Sequence, residues 1–457
     1  MTTIAIRGRY VLARHDGLQE VLRDHWVLLE GNRIAAVQPD RPHAERVLDR
    51  PNRFVLPGLM NLHNHCFSEA VARTHTEDGN GRENNRSIVY TVLLPLTRRG
   101  LEILSPDERL AVARLGILQL LKGGATSVME PFRNGIPEMF AAADAMGIRF
   151  WGAPYLFSTA DAAAGPDGTV HYAGDDGEAD LAIWDALYRS WDGQGEGRIR
   201  LAMSPHATDT CGPDLLRACA ARARALGVPI TTHVAQSRDE VLTIGKRYGG
   251  RTPAEYLDWL GLLAPDLLAA HCIASSDDDL RLMAARGATV ANCPRVFARA
   301  GVTAAFERFA AAGLRTVIGT DGYNMDLLGE LNAASIISKI AAGRAEVAPA
   351  PALIEAVTAA AADAVNRPDL GRIEPGATAD LTVIDLNHPM LRPLSDPRRG
   401  LIALANRADV AQVIVDGRVL IDEGRLAAGD EEAICAAGVA AIERIWDLPE
   451  ARAALPR

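Results

Sequence analysis

Eight short apolar runs, separated by stretches with helical periodicity, fill the middle of the chain and limit the folds open to it. Each run has the length of a buried strand, and the intervals contain helix signals, such as a stretch that opens at Pro213 and closes at Gly227. Strands that alternate with helices predict parallel pairing, and eight of them predict an α/β fold of the (β/α)8 TIM-barrel type. The runs are 55–62, 125–129, 149–156, 199–204, 229–235, 267–272, 288–293 and 315–321.

The two ends of the chain have a different pattern, in which apolar and polar residues alternate between closely spaced turns. An Asp416-Gly417 pair within the second end is typical of a tight hairpin. The chain has 457 residues, which suits one barrel of roughly 250 residues with an additional module. We predict a small β-sandwich domain formed by residues 1–56 and 375–430, a barrel over 57–374, and a C-terminal helical extension over 431–457.

Charge and composition exclude several classes of partner. The net charge of −10 disfavours nucleic acid and anionic membranes, which attract clustered Lys and Arg. No apolar run reaches the ~18 residues needed to span a membrane, and the N-terminus has no signal-peptide pattern. The six cysteines include no C-x-x-C pair, which indicates reduced thiols. We therefore expect a cytoplasmic protein with no nucleic-acid or membrane partner.

Polar side chains with metal-binding chemistry stand at the ends of these predicted strands. In a barrel, the carboxyl ends of all strands meet at one face, so residues far apart in sequence converge there. A His-x-His pair in extended structure places both imidazoles on the same face. Imidazoles together with a carboxylate are suitable ligands for Zn²⁺ or a similar ion. The side chains are those of His63, His65, His206, His233, His271 and Asp321.

The lysines indicate how many metal ions such a site would hold. Some barrel hydrolases bridge two metals with a carboxylated lysine at a strand end. The three lysines here, Lys122, Lys246 and Lys339, all lie away from strand ends. We therefore predict one divalent metal, with zinc as the first choice and iron, manganese and cobalt as alternatives that the same ligands suit.

Several collinear segments resemble the amidohydrolase superfamily, and within it the branch of cytosine deaminase and triazine hydrolases. The resemblance implies hydrolysis of an electrophilic carbon in a nitrogen heterocycle or urea-like substrate by a metal-bound hydroxide, with deamination as one case. A homo-oligomer, dimer or tetramer, is usual in that family. The matching segments are PGLMNLHNH, GGATSVMEP, SPHATDTC, HVAQSRDEV, AAHCI, VANCP, GTDGYNMDLLGEL and GATADLTVIDL.

Carried over by position, the resemblance assigns roles to individual residues. Asp321 would also act as the proton acceptor for the attacking water. His271 would hold that water or the developing oxyanion, and His206 would contact the substrate. The implied metal ligands are His63, His65, His233 and Asp321.

One position departs from the family pattern. Deaminases of this branch usually have Glu three residues after the fifth-strand histidine, whereas this chain has Gln236. An amide donates a hydrogen bond but does not relay a proton. Gln236 then either contacts the substrate while another acid serves, or the leaving group needs no acid. The candidate acids are Glu69, Glu77, Glu130 and Asp209.

The second option favours other hydrolytic reactions on the same type of site. These are ring opening of an imidazolone or hydantoin, or hydrolysis of carbamate, chloro or thio substituents. A non-catalytic barrel scaffold is a remote alternative, since the implied ligands are all present. Segments 66–86 and 157–198 are long and polar, and we expect loops over the site there.

Overall fold

The computed structural model describes residues 2–67, 94–132, 136–158, 163–164, 170–171, 177–322 and 324–454. Its strands are β1 (Thr3–His15), β2 (Leu18–Glu30), β3 (Arg33–Gln38), β4 (Arg46–Leu48), β5 (Arg53–Pro57), β6 (Leu59–Asn61), β7 (Ala125–Phe132), β8 (Arg149–Leu156), β9 (Ala163–Ala164), β10 (Val170–His171), β11 (Ile199–Leu201), β12 (Ser204–Pro205), β13 (Ile230–Val234), β14 (Leu267–His271), β15 (Thr289–Asn292), β16 (Arg315–Ile318), β17 (Leu381–Asp385), β18 (Val410–Val415), β19 (Arg418–Asp422) and β20 (Arg425–Leu426). Its α-helices are α1 (Leu94–Ile103), α2 (Pro106–Lys122), α3 (Glu138–Met146), α4 (Glu178–Trp191), α5 (Pro213–Leu226), α6 (Arg238–Arg247), α7 (Pro253–Trp259), α8 (Asp277–Ala285), α9 (Pro294–Arg299), α10 (Phe306–Ala311), α11 (Leu327–Ala342), α12 (Ala350–Glu355), α13 (Ala359–Ala364), α14 (Pro397–Leu404), α15 (Glu431–Trp446) and α16 (Pro449–Ala454).

One nine-stranded sheet combines both ends of the chain. Its strand order is β20-β19-β18-β17-β5-β1-β2-β3, and β4 pairs with β1. The two ends meet where β5 and β17 run antiparallel, with Val55 opposite Val383. The β18–β19 hairpin turns at Asp416 and Gly417, which both have positive φ, as this residue pair predicts.

The middle of the chain forms parallel strands. A five-stranded sheet has the order β11-β8-β7-β6, with β12 paired to β8, and a four-stranded sheet has the order β13-β14-β15-β16. Isolated parallel bridges join these two sheets at both edges, Met203 to Ile230 on one side and Asn64 to Asp321 on the other. A separate apolar cluster takes side chains from strands of both sheets, including Met60, Trp151 and Leu268.

The sequence predicts one strand over 55–62, but the structure has two strands there, β5 and β6. The prediction of a single strand was therefore wrong. The break falls at Gly58, where a Cβ atom would lie 2.3 Å from Oγ1 of Thr126. Only glycine permits this close approach. The chain therefore leaves the end-to-end sheet after β5 and enters the parallel sheet with β6.

Local signals account for the helix boundaries. Helix α2 begins after Ser105, whose side chain accepts from the backbone N–H of Glu108 in a capping box. Helix α5 begins at Pro213 and ends before Gly227, which has φ +67°, as the sequence predicts. The interval 157–198, expected to be a long loop, also contains helix α4. Among the described helices, none is long and apolar enough to cross a membrane.

A candidate metal centre at the strand ends

The polar residues predicted at the strand ends lie together in the structure. His63 and His65 follow β6, His206 follows β12, and His233 and His271 lie within β13 and β14. The ring centroid of His63 is 4.7 Å from that of His65, 5.1 Å from that of His233 and 4.8 Å from that of His271. The His206 and His233 rings are 5.0 Å apart. All five imidazoles therefore form one contiguous cluster.

Asp321 lies against this cluster from the end of β16. Its carboxylate oxygens are 3.5 Å from Nε2 of His65 and 3.6 Å from Nε2 of His271. Its backbone N–H donates to the carbonyl oxygen of His63 at 2.9 Å. Asp321 and His271 have φ +54° and +76°, a left-handed conformation that is strained for such residues and often marks functional sites.

The donor atoms fit a divalent metal. One atom from each of His63, His65 and His233 lies within 4.8 Å of the others, and the same limit holds within a group of His63, His271, Cys293 and Asp321. Both ring nitrogens of His63 and Nδ1 of His271 are buried without a hydrogen-bond partner among the described residues. Unsatisfied buried nitrogens are costly unless a ligand completes them, and imidazole with carboxylate is a zinc-type donor set.

Backbone carbonyls orient two of the imidazoles. Nδ1 of His65 donates to the Pro131 carbonyl at 2.8 Å, and Nδ1 of His233 donates to the His206 carbonyl at 2.6 Å. Each ring thereby directs its other nitrogen away from the backbone, as metal-binding histidines require. Burial lowers the pKa of His65 and of His233 to about 4. Both imidazoles are therefore neutral at physiological pH, the form that binds a metal.

His206 and Gln236, the two predicted substrate contacts, differ from each other in their hydrogen-bond partners. Nδ1 of His206 lies 2.9 Å from Oγ1 of Thr210, and its ring stacks on Phe157 with centroids 4.6 Å apart. Gln236 is 8% exposed, and its side-chain nitrogen is buried without a partner among the described residues. Its backbone N–H donates to Glu240 at 2.8 Å.

Two of the four candidate acids, Glu130 and Asp209, lie among the described residues. Glu130 is fully buried at the end of β7, and burial raises its pKa to about 8. Asp209 is also buried, in the segment between β12 and α5. Glu69 and Glu77 lie outside the described residues, as does most of the 66–86 segment.

The raised pKa of Glu130 predicts a pH-dependent stability. In the unfolded chain Glu130 ionises near its ordinary value of 4.5, whereas in the folded chain it keeps its proton to about pH 8. The folded state binds more protons across this interval, so the contribution of Glu130 to stability decreases as pH rises through it. We expect Glu130→Gln to gain stability relative to the natural chain between pH 4.5 and 8, measured by urea denaturation of the metal-free protein. The exposed Glu432→Gln is the control, and a constant difference across this range would contradict the expectation.

Sequence reasoning missed several residues of the site. The sequence predicts only a reduced thiol at Cys293, yet this residue lies beside His63, His271 and Asp321. The ring of Tyr155 is 4.8 Å from that of His206, and the ring of Phe297 is 4.8 Å from that of His271. Cys293 closes a predicted strand just as the histidines do, and that position was the available signal.

A cluster of buried imidazoles and a carboxylate at the ends of parallel strands is typical of metal-dependent hydrolases. The model of the Amidohydrolase family matches residues 54–420. The 5-methylthioadenosine/S-adenosylhomocysteine deaminase of Natronomonas pharaonis is 33% identical over 443 residues, which cover 95% of this chain and 96% of that protein. The chain belongs to the amidohydrolase family.

Solved structures extend the comparison. An adenosine deaminase from Xanthomonas campestris with bound zinc has a TM-score of 0.86 and 25% identity, covering 98% of this chain and 99% of that one. Atrazine chlorohydrolase from Arthrobacter aurescens, complexed with zinc, has a TM-score of 0.83 and 26% identity, covering 96% and 100%. The fold is thus TIM-barrel-like α/β, and the zinc-bound neighbours support a divalent metal.

These findings confirm the predicted family and enzyme class. The protein is a metal-dependent hydrolase of carbon–nitrogen bonds other than peptide bonds, and its reaction is of the type that deaminates nitrogen heterocycles. The expectation of a catalytic protein, as opposed to a scaffold, is confirmed with it.

Proposed function

We propose that the protein deaminates an adenosine-type purine, with one zinc ion held by His63, His65, His233 and Asp321. The observation that carries this proposal is the convergence of five buried imidazoles and one carboxylate at the strand ends. The deaminase relative over nearly the full length of the chain supports the substrate class. Iron, manganese and cobalt are alternatives that the ligand set also suits.

In this proposal the chain's own residues have separate roles. A metal held by these ligands would lower the pKa of a water molecule and polarise the reacting centre. Asp321 accepts the proton of the attacking water, since its carboxylate faces His65 and His271 within 3.6 Å. In the metal-free chain, burial raises the pKa of Asp321. His271 donates a hydrogen bond to the charge that develops at the attacked carbon.

The substrate ring is held by polar and aromatic side chains in the same proposal. His206 contacts the heterocycle, and Phe157, stacked on His206, limits the space for a planar ring. Gln236 donates its unpartnered amide N–H to an acceptor on the ring edge. Because Gln236 does not relay a proton, the proton for the leaving amine comes from another group. Glu130 and Asp209 are the two described candidates, and we favour Glu130, whose pKa burial raises to about 8.

The proposed site depends on how the two parallel sheets are joined. We infer that the parallel strands close into a (β/α)8 barrel, supported by the isolated bridges at both sheet edges and the apolar cluster shared by the two sheets. Residues 57–374 form this barrel, residues 1–56 and 375–430 form the β-sandwich domain, and residues 431–457 form a helical extension. A cytoplasmic homo-oligomer, dimer or tetramer, without nucleic-acid or membrane partners, completes the proposal.

Ammonia release tests the proposed reaction. The zinc-loaded protein would be assayed with adenosine, 5′-deoxyadenosine, guanine, cytosine and amino-triazines. We expect release from the adenosine-type compounds above the others. Turnover of none of the amino-heterocycles, by a protein that binds zinc, would contradict deamination.

Gln236 leads to a separate prediction. Glu at this position restores a carboxyl group that can carry a proton to the ring and the leaving group, and general acid catalysis contributes about 10²–10⁴-fold in enzymes. Since another acid already serves here in part, we expect Gln236→Glu to raise kcat for ammonia release about tenfold. Gln236→Asn is the matched control and should not raise it. An unchanged rate in Gln236→Glu would remove the support for a missing acid at this position.

A second reaction is favoured by the same residue. Displacement of a halide or thiolate needs no proton at the leaving group, so Gln236 does not hinder it. The likeness to atrazine chlorohydrolase supports this alternative. Chloride release from chloro-triazines or 6-chloropurine riboside, with no ammonia release from the amino analogues, would identify it.

A further inference from the structure

Four buried polar side chains form one hydrogen-bonded group, and two of them are sequence neighbours of the proposed metal ligands. Asn61 is the last residue of β6 and Asn64 lies just after that strand, Glu130 lies near the end of β7, and Thr320 lies just after β16. Each is at most 1% exposed. Polar groups are kept at such positions only when they are hydrogen-bonded, because removing them from water is costly. We name these four residues the polar cluster.

Hydrogen bonds run through the polar cluster without a break. Nδ2 of Asn64 donates to Oε2 of Glu130 at 2.5 Å. Oγ1 of Thr320 donates to Oδ1 of Asn64 at 2.7 Å and accepts from Nδ2 of Asn61 at 2.7 Å. Oδ1 of Asn61 in turn accepts from the backbone N–H of Thr320 at 3.1 Å. The hydroxyl of Thr320 thus bridges the two asparagines, which are also joined directly by a longer hydrogen bond of 3.4 Å from Nδ2 of Asn61 to Oδ1 of Asn64.

The polar cluster is tied to the backbone that carries the proposed ligands. Asn64 stands between His63 and His65, and Thr320 immediately precedes Asp321. Asn64 and Asp321 also form a parallel backbone bridge. A rotation or shift of either residue would therefore move ligands from two different strands relative to each other.

We propose that Asn64 and Thr320 are positioning residues that set the spacing of His63, His65 and Asp321 for the metal, with Glu130 as the buried anchor of Asn64. This inference rests on the proposed metal site. Groups that orient metal ligands without touching the metal typically change affinity by about 10–100-fold when they are removed. We expect a large effect from loss of the Thr320 hydroxyl, since it removes one hydrogen bond from each asparagine side chain.

Zinc affinity measured by competition with a chromophoric chelator tests the inference on the full-length protein. Thr320→Val keeps the shape but removes the hydroxyl, whereas Thr320→Ser keeps the hydroxyl. We expect Thr320→Val and Asn64→Ala to weaken zinc binding about 10–100-fold, and Thr320→Ser to bind zinc nearly as the natural chain does. Urea denaturation of each metal-free variant shows whether it is folded before zinc is added.

The outcomes separate this inference from the proposed site. A natural chain that binds no zinc would overturn the proposed metal site. A natural chain that binds zinc tightly, together with folded Thr320→Val and Asn64→Ala variants of unchanged affinity, would overturn the positioning role alone. Equal weakening in Thr320→Val and Thr320→Ser would also overturn it, because packing and not the hydroxyl would then be responsible.

Discussion

Replacing Asp321 by asparagine is expected to lower kcat/KM for ammonia release at least about 10³-fold. The substitution removes both the proton acceptor for the attacking water, worth about 10²–10⁴-fold in enzymes, and the one carboxylate among the proposed ligands. The position tolerates asparagine sterically, since the residues have the same shape, and asparagine is among the residues that adopt the observed φ of +54°. Kinetics with the best adenosine-type substrate and zinc content by atomic emission would be measured on the same sample.

The zinc content separates the two functions of Asp321. A variant that retains zinc but has lost turnover places the effect on proton transfer, and a variant that has lost zinc places it on metal binding. Asp278→Asn is the control, because that side chain is 89% exposed. Activity within tenfold of the natural chain would contradict both assigned roles.

The second large effect is expected at His271. Its imidazole is 2% exposed, stands 3.6 Å from the Asp321 carboxylate, and packs against His63 and Phe297. Loss of one donor to a developing negative charge lowers kcat about 10²–10³-fold. We expect that decrease in kcat for His271→Ala, with KM changed far less, because the charge appears only in the transition state.

Zinc binding by His271→Ala tests the assignment further. In the proposed site His271 is not a ligand, so zinc affinity should remain close to that of the natural chain. His15→Ala, at a side chain 77% exposed, controls for nonspecific effects of removing an imidazole. Complete loss of zinc from His271→Ala would make His271 a ligand, and the group of His63, His271, Cys293 and Asp321 would then be the better description of the centre.

Much of the candidate site was predictable because strand ends converge. His63, His233 and Asp321 are far apart in sequence, yet each stands at or near the end of an apolar run, and parallel strands bring such ends together. The family resemblance then divided the cluster into ligands and other roles. Those roles stay predictions, and the variants of Asp321 and His271 test them.

Other features depend on contacts that no local pattern contains. The division of the 55–62 run at Gly58 follows from the approach of Thr126, which is distant in sequence. The hydrogen bond from Asn64 to Glu130 joins residues from separate strands, so neither residue alone indicates a role. The thiol of Cys293 has no charge that distinguishes it from a core residue. Its position at the end of a predicted strand is shared with the histidines, but its contact with His63, His271 and Asp321 is visible only in the fold.

Titration of the metal-free protein with zinc, while ammonia release from an adenosine-type substrate is followed, tests the central claim most directly. One mononuclear centre predicts a rate that rises in proportion to added zinc and stops rising at one equivalent per chain. A rate that is full without zinc, or that is absent at every zinc concentration although one equivalent binds, would contradict a zinc-dependent deaminase at this site.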